Sequence, residues 1–157
     1  MIGVVELMSA DARFMQRALN LAQRARAEGE VPIGALVVVG EQVVGEGWNQ
    51  PIKMSDPTAH AEMVALRAAA AACNTYRLND AILYVTLEPC TMCIGAIITA
   101  RISRVVFGAW DHKAGACGSV FDVPRETRLN HRVDVFGGVC KDECAALLKE
   151  FFEERRR

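Results

Sequence analysis

The sequence lacks the features of a membrane-spanning or exported chain. None of its apolar runs reaches the roughly 18 residues that a membrane-spanning helix needs. A signal peptide requires a basic segment followed by a long apolar stretch, and the start, MIGVVELMSADARF, has neither. No repeat, low-complexity tract or linker divides the 157 residues, a length that suits one domain with its own core. We therefore expect a single domain over residues 1–157, located in the cytoplasm.

A surplus of positive charge is also missing. The formal net charge is −1, whereas proteins that bind nucleic acids indiscriminately usually carry a basic surplus. A local basic patch remains open at the terminal RRR (155–157) and at Arg125, Arg128, His131 and Arg132. Each of these, taken alone, is typical of a solvated chain end or loop.

The cysteines are not spaced like the dense disulfide framework of a small secreted domain. In a cytosolic chain, cysteines more often bind a metal or take part in catalysis. Cys90 and Cys93 form a C-x-x-C pair. Cys73, Cys140 and Cys144 fall within predicted helix cores, and we interpret them as buried apolar residues.

Apolar spacing predicts a helix over residues 10–28, with Ser9 as its N-cap and Gly29 as its end. A hairpin of two strands, 33–39 and 43–48, follows. After a loop over 49–57, a second helix is predicted from Asp56 as N-cap, with Pro57 at its first position, to about Cys73. Further strands are predicted at 81–87, 104–109 and 132–136, and further helices at 91–100 and 141–155. Interleaved strands and helices predict an α/β domain whose sheet is covered on both faces and is partly parallel after an opening hairpin.

Metal-binding chemistry is concentrated where the strand 81–87 ends in EPCTMC. Cys90 stands at the start of the next helix and Cys93 lies on the same helix face, where the helix N-terminus favours the thiolate form that binds zinc. Loops at strand ends converge on one edge of such a sheet, so His60, also near a helix start, can join the two sulfurs. Three protein ligands are typical of catalytic zinc, whereas four are typical of structural zinc.

Glu62 lies in the same first helical turn as His60. Zinc lowers the pKa of its bound water to about 7. A carboxylate nearby can take that proton and pass it to a substrate. We therefore predict that Glu62 carries protons beside the metal, because H-x-E followed by P-C-x-x-C is the signature of zinc deaminases.

Other interpretations of these residues are open. A C-x-x-C pair in an α/β chain is also typical of thioredoxin-like redox proteins, but His60 and Glu62 would then have no role. A non-catalytic zinc module that binds RNA would need a fourth ligand, for which Cys117 is a candidate, and would give Glu62 no function.

Longer stretches carry a family resemblance. The chain contains HAEMVALRAA, YVTLEPCTMCIGAII, RVVFGAWDHKAGACGS, NHRVDV and DECAALLKEFFEERRR. Together these resemble the bacterial tRNA-specific adenosine deaminases of the cytidine deaminase superfamily. The resemblance implies a three-layer α-β-α cytidine-deaminase-like fold with a central mixed five-stranded sheet, and a homodimer. It also implies deamination of the wobble adenosine to inosine in the arginine tRNA with an ACG anticodon. Deaminases of free cytosine, guanine or nucleosides share the zinc motif and are the nearest alternative.

The resemblance also implies roles for single residues. His60, Cys90 and Cys93 would hold one zinc ion per subunit, with Glu62 as the proton carrier. Backbone donors near Ala61 and Cys90 would hold the reacting oxygen.

Outside this centre, the resemblance implies contacts with the RNA. Asn49 would bind the flipped nucleoside in a pocket lined by Val31 and Leu87, and Asp111 would contact the neighbouring sugar. Three C-terminal residues would help to hold the anticodon loop, namely Phe152, Arg155 and Arg156. No firm role is implied for Trp110, His112 or Cys117.

Overall fold

Helix α1 (Ala10–Ala27) opens the part of the chain that the computed structural model describes, residues 9–156. Its N-cap is Ser9, as predicted, because the Ser9 hydroxyl accepts a hydrogen bond from the Ala12 amide at 3.1 Å. Gly29, with φ at +79°, follows the helix and lets the chain turn towards the sheet. Among the described residues, no helix is both long and apolar enough to cross a membrane.

Five strands form one mixed sheet in the spatial order β2-β1-β3-β4-β5. The strands are β1 (Gly34–Val39), β2 (Gln42–Trp48), β3 (Ala81–Leu87), β4 (Arg104–Ala109) and β5 (Asp134–Phe136). β1 pairs antiparallel with both β2 and β3, and the β3–β4 and β4–β5 pairs are parallel. The predicted opening hairpin and partly parallel sheet are therefore confirmed.

Helices cover both faces of this sheet. Besides α1 they are α2 (Pro51–Met54), α3 (Ala61–Cys73), α4 (Thr91–Thr99) and α5 (Lys141–Arg155). One apolar core joins the sheet to α3 and α4, and the other joins it to α1 and α5. The expected three-layer α-β-α arrangement is confirmed.

Strand β3 contributes to both cores at once. Leu83 and Val85 pack on the α3 and α4 side, whereas Tyr84 packs on the α1 and α5 side. Because successive side chains of a strand point to opposite faces, a central strand with both faces covered is apolar almost throughout. The strand therefore ends deep in the molecule, and the EPC sequence that follows it begins at a buried edge.

The predicted start of the second long helix is wrong by four residues, and the difference matters for the site. Asp56 does not cap the helix, because its carboxylate accepts from the Thr58 amide at 2.8 Å and from the Thr58 hydroxyl at 2.7 Å. This local turn satisfies the side chain that would otherwise cap a helix. α3 begins at Ala61, and His60 is the extended residue immediately before it.

The loop predicted over residues 49–57 contains the short helix α2. The buried carboxylate of Glu30 accepts hydrogen bonds from the Ile52 amide at 3.2 Å and the Lys53 amide at 2.9 Å. These amides belong to the first turn of α2 and have no partner within the helix. A residue far back in the chain therefore stabilises this turn.

The interpretation of three cysteines as buried apolar residues is correct for one of them. Cys144 is buried against β4, as predicted. Cys73 is exposed because it is the last residue of α3, and Cys140 is only partly buried because it precedes α5.

Candidate metal and catalytic site

The N-termini of α3 and α4 meet at the edge of the sheet where β3 ends. His60 is the N-cap residue of α3 and Cys90 is the N-cap residue of α4, and both are extended. The His60 Nδ1 atom lies 3.7 Å from Cys90 Sγ and 3.6 Å from Cys93 Sγ. All three donor atoms lie within 4.8 Å of one another. The structure thus brings together the three residues that the sequence selects as metal ligands.

The spacing of these donors fits a zinc ion. With Zn–S bonds of about 2.3 Å and Zn–N bonds of about 2.1 Å, tetrahedral coordination places a nitrogen and a sulfur ligand about 3.6 Å apart. The two N–S distances in the structure, 3.7 and 3.6 Å, agree with this value. Within residues 9–156, no other histidine, cysteine or carboxylate atom joins the group, so Cys117 is not a fourth ligand. A donor set of one nitrogen and two sulfurs is the pattern of a catalytic site.

The pKa values of the two cysteine thiols are shifted in opposite directions. The Cys93 thiol, hydrogen-bonded to Cys90, is the main reason that the pKa of Cys90 is lowered to about 4, and His60 lowers it further. Cys90 therefore favours the thiolate, the form that binds zinc. The same interaction, with burial and the charge of Glu62, raises the pKa of Cys93.

Glu62 is buried beside these donors, with only 4% of its surface exposed. Burial raises the pKa of Glu62 to about 7, against opposing effects from its own backbone amide and from His60. A carboxyl group whose pKa is near neutral can both accept and donate a proton at physiological pH. The location and chemistry of Glu62 therefore suit proton transfer.

A cavity of about 580 Å³ opens above the donor cluster. Its volume lies within the range of ordinary ligand pockets, about 300–1,000 Å³. His60, Glu62 and Cys90 contribute to its lining beside the donor cluster. Five residues expected to contact the substrate also line it, namely Val31, Asn49, Leu87, Asp111 and Phe152.

Asn49 is fixed within this cavity by the helix start. Its side-chain oxygen accepts a hydrogen bond from the Ala61 amide at 2.9 Å. The side-chain NH₂ group of Asn49 remains as a donor at the cavity wall. In the structure the Ala61 amide is donated to Asn49, so the expected role of backbone donors near Ala61 and Cys90 in holding the reacting oxygen stays a prediction.

The loop after β4 forms another part of the wall. The Asp111 carboxylate accepts from the amides of Lys113 at 3.0 Å and Ala114 at 3.2 Å, so it folds its own turn. Trp110 is 43% exposed and packs edge-on against Phe107, with ring centroids 4.7 Å apart. Trp110 and His112 also line the cavity.

The end of α5 borders a second cavity of about 380 Å³, which shares Val31, Asn49 and Phe152 with the first. Arg155 lines the second cavity, donates to the Gly29 carbonyl and lies over the Phe151 ring. Arg156 is exposed at the helix end, and Arg157 lies outside the described residues.

The other basic residues show no comparable arrangement. Arg128 is 87% exposed and pairs with Glu126 at 2.6 Å. His131 contacts the Ile102 carbonyl at 2.7 Å through its ring nitrogen. Both contacts fit a solvated loop better than a preformed basic patch.

Sequence reasoning missed one buried carboxylate of the site, Glu88. It is 2% exposed and lines the cavity in front of Cys90. Burial alone would raise the pKa of Glu88, but hydrogen bonds from the Ser119 hydroxyl and three backbone amides outweigh it and lower the pKa. The sequence feature that could have identified Glu88 is its position directly between a buried strand and P-C-x-x-C.

Comparisons with known proteins agree on one family. Residues 8–109 match the cytidine and deoxycytidylate deaminase zinc-binding region. The tRNA-specific adenosine deaminase of Haemophilus influenzae is 51% identical over 147 residues, which cover 93% of this chain and 85% of the relative.

Solved structures extend the comparison. One from studies of A-to-I editing by tRNA:A34 deaminases at the wobble position of transfer RNA is similar with a TM-score of 0.84 and 43% identity. The match covers 87% of this chain and 99% of that one. A guanine deaminase from Nitrosomonas europaea has a TM-score of 0.73 and 27% identity, over 87% of this chain and 81% of its own.

Proposed function

Since the chain belongs to the tRNA-specific adenosine deaminases, a family with the zinc-binding region of cytidine and deoxycytidylate deaminases, we propose that it converts the wobble adenosine of a tRNA anticodon to inosine. Water replaces the amino group at C6 of the adenine, and ammonia is released. The observation that carries the proposal is the position of Glu62, buried beside the His60, Cys90 and Cys93 donors in the lining of one cavity. The arginine tRNA with an ACG anticodon is the proposed substrate.

His60, Cys90 and Cys93 hold one zinc ion per subunit in this proposal. When bound, zinc supplies a water that is activated for attack at neutral pH. The donor spacing supports this assignment, as does the absence of a fourth ligand within residues 9–156. Asn49 orients the base from the wall through its NH₂ group, and the Ala61 amide acts indirectly by holding Asn49.

Glu62 carries the protons of the reaction. It accepts one proton from the attacking water and delivers it to N1 of the adenine. It then accepts the second proton, from the new C6 hydroxyl, and delivers it to the departing amine. A single group can perform both transfers because its pKa, raised by burial to about 7, lies close to the working pH. The low exposure of Glu62 keeps bulk water away from these steps.

The RNA enters as an unpaired loop. An enzyme that reacts on a base must take it out of the stack, which costs least where the base is already unpaired. Val31 and Leu87 pack against the base, while Asp111 faces the sugar beside it. The rest of the anticodon loop is contacted by three residues near the C-terminus, Phe152, Arg155 and Arg156. The second cavity, at the end of α5, supports this assignment.

We also propose that the chain forms one deaminase domain over residues 1–157, acts in the cytoplasm and pairs as a homodimer. An apolar cleft of about 250 Å³ between α3 and α4, bordered by the exposed Tyr76, supports a protein contact on that face. Light scattering of the purified protein tests the dimer, and a monomer mass at micromolar concentration would contradict it.

The substrate is tested by comparing an anticodon stem-loop that has adenosine at the wobble position with free adenosine, cytosine and guanine. We expect inosine in the RNA, read by sequencing, and matching ammonia release. A stem-loop with guanosine at the wobble position is the matched control. Turnover of free guanine or cytosine in preference to the RNA would overturn the proposal in favour of a free-base deaminase.

A further inference from the structure

All of the hydrogen-bonding capacity of the Glu88 carboxylate is used within the protein. One oxygen accepts from the Asp111 amide at 3.0 Å and from the Ser119 hydroxyl. The other accepts from the amides of Cys117 at 3.0 Å and Ser119 at 3.1 Å. An ionised carboxylate offers about four acceptor positions. None remains for a substrate, so Glu88 is not a second acid or base of the reaction.

All four donors belong to the segment 111–119, which wraps around this one carboxylate. The Ala116 amide adds a bond to the Pro89 carbonyl at 2.8 Å, next to the metal-ligand segment. Close packing accompanies these bonds, because a Cβ atom at Gly115 would lie 2.4 Å from Glu88 Cδ. The segment is thus fastened to the residues immediately before Cys90.

The same segment provides one wall of the cavity. Residues 110–114 line the same cavity as His60, Glu62 and Cys90, and Asp111 is the first residue that Glu88 holds. The position of this wall relative to Glu62 therefore depends on the Glu88 hydrogen bonds. Misplacement of a binding wall by about 1 Å can reduce catalytic efficiency on the order of 100-fold.

We propose that Glu88 is a positioning residue that fastens the segment 111–119 to the end of β3 and so places Asp111 and its neighbours against the RNA. Glu88 acts through this segment and does not touch the reacting atoms. This inference rests on the proposed function for the identity of the ligand at the wall. The hydrogen bonds between Glu88 and the segment 111–119 do not depend on which ligand binds at the wall.

The test is Glu88→Gln, which keeps the shape of the side chain but replaces one acceptor oxygen by an NH₂ group that faces amide donors. We expect KM for the anticodon stem-loop to rise about 10- to 100-fold, because the wall is displaced, with kcat changed far less. Zinc content should equal that of the wild type. In hydrogen exchange, the amides of Asp111, Cys117 and Ser119 should lose protection.

A matched control separates positioning from general stability. Asp11→Asn removes a carboxylate from the Arg104 ion pair at the opposite edge of the sheet, so it should destabilise the protein without changing KM. Ser119→Ala removes one Glu88 donor and should give a smaller rise in KM. The double variant with Glu88→Gln should show less than the product of the two effects. If Glu88→Gln folds poorly, Ser119→Ala by itself still tests the contact.

Unchanged KM and unchanged amide exchange in Glu88→Gln would overturn the proposal. Loss of zinc would also overturn it, because Glu88 would then support the metal ligands instead of the wall. If the wild type did not deaminate the RNA, the proposed function would fail. The exchange of the three amides would still decide whether Glu88 holds the segment.

Discussion

At the residue scale, three buried or half-buried carboxylates of the site have different roles because they differ in burial and in the hydrogen-bond donors around them. Glu62 has few donors and a pKa raised by burial to about 7, so it suits proton transfer. Glu88 is surrounded by donors and has a lowered pKa, so it remains charged and structural. Asp111 uses one oxygen to fold its own turn and lines the cavity. Hydrogen-bond donors, more than burial, distinguish the reactive group from the others.

Replacement of Glu62 tests its role in proton transfer directly. In Glu62→Ala we expect kcat to fall by at least about 10²–10⁴-fold, the usual contribution of general acid–base catalysis. Zinc, measured by mass spectrometry, should stay bound because His60, Cys90 and Cys93 are unchanged. Glu41→Ala, in the turn between β1 and β2 at the far edge of the sheet, is the control. Retained turnover in Glu62→Ala would show that Glu62 does not carry the protons, whereas a wild type without turnover would favour a non-catalytic zinc module.

At the scale of elements, the site depends on how closely α3 approaches β2. Two glycines of β2 make this approach possible. A Cβ atom at Gly47 would lie 2.3 Å from the Ala61 carbonyl oxygen, and one at Gly45 would lie 2.5 Å from the Ala65 carbonyl oxygen. Gly47 thus faces the first turn of α3, which carries Glu62, and Gly45 faces the next turn.

This difference predicts unequal effects on activity. Gly47→Ala and Gly45→Ala should each lower the free energy of unfolding by about 1–3 kcal/mol, the usual cost of overpacking. Gly47→Ala should also lower kcat/KM more, because it displaces the helix start beside His60. Thermal melts and kinetics below both transitions measure the two effects. Equal losses of activity would show that the catalytic geometry does not depend on this contact.

A second element-scale contact holds α1 to the sheet. Asp11 accepts two hydrogen bonds from Arg104, at 2.9 and 2.6 Å, and one from Tyr84 at 2.7 Å. Arg104 is the main cause of the lowered pKa of Asp11, and Tyr84 adds to it. A carboxyl group whose pKa is lower in the folded state stabilises the protein above its unfolded pKa, and this stability is lost as the pH falls through the folded pKa.

The contribution of Asp11 should therefore be complete at pH 7 and decline below about pH 4, the pKa of an unperturbed aspartate. Urea unfolding of the wild type and of Asp11→Asn from pH 7 to pH 3 measures it. The difference in unfolding free energy should shrink with acid, while loss of zinc affects both proteins alike. A constant difference would show that packing, and not the ion pair, is responsible.

At the scale of the whole molecule, the net charge of −1 leaves only local positive groups to hold RNA. Arg155 lines the second cavity and Arg156 is the exposed residue that ends α5, whereas Arg128 is paired with a glutamate. Binding should therefore involve few phosphate contacts. Recognition of an unpaired loop by shape and stacking then matters more than total charge.

A salt titration tests this balance. About three phosphate contacts predict that the logarithm of the affinity for the stem-loop falls against log[salt] with a slope of about −2. Arg156→Ala should reduce the slope by about 1, whereas Arg128→Ala, on the solvated loop, should leave it unchanged. A flat titration of the wild type would contradict the proposed electrostatic contacts.

The sequence alone determined the chemistry and the order of elements. His60, Glu62, Cys90 and Cys93 are recognisable because their side-chain types and spacing are local properties of the chain. The five strands and the long helices follow from local periodicity in the same way. Local patterns locate the ends of helices less reliably. Asp56-Pro57 is typical of a helix N-terminus, but the Asp56 carboxylate accepts hydrogen bonds from Thr58 in a local turn.

Only the tertiary structure decided how these parts are held together. Glu88 binds donors 23 to 31 residues away, Glu30 binds amides more than 20 residues away, and the Ala61 amide is donated to Asn49. Nothing in the neighbourhood of each residue along the chain identifies such a partner. A buried polar group must find a hydrogen bond wherever the fold brings a donor, so these contacts exist only once the sheet and helices have packed.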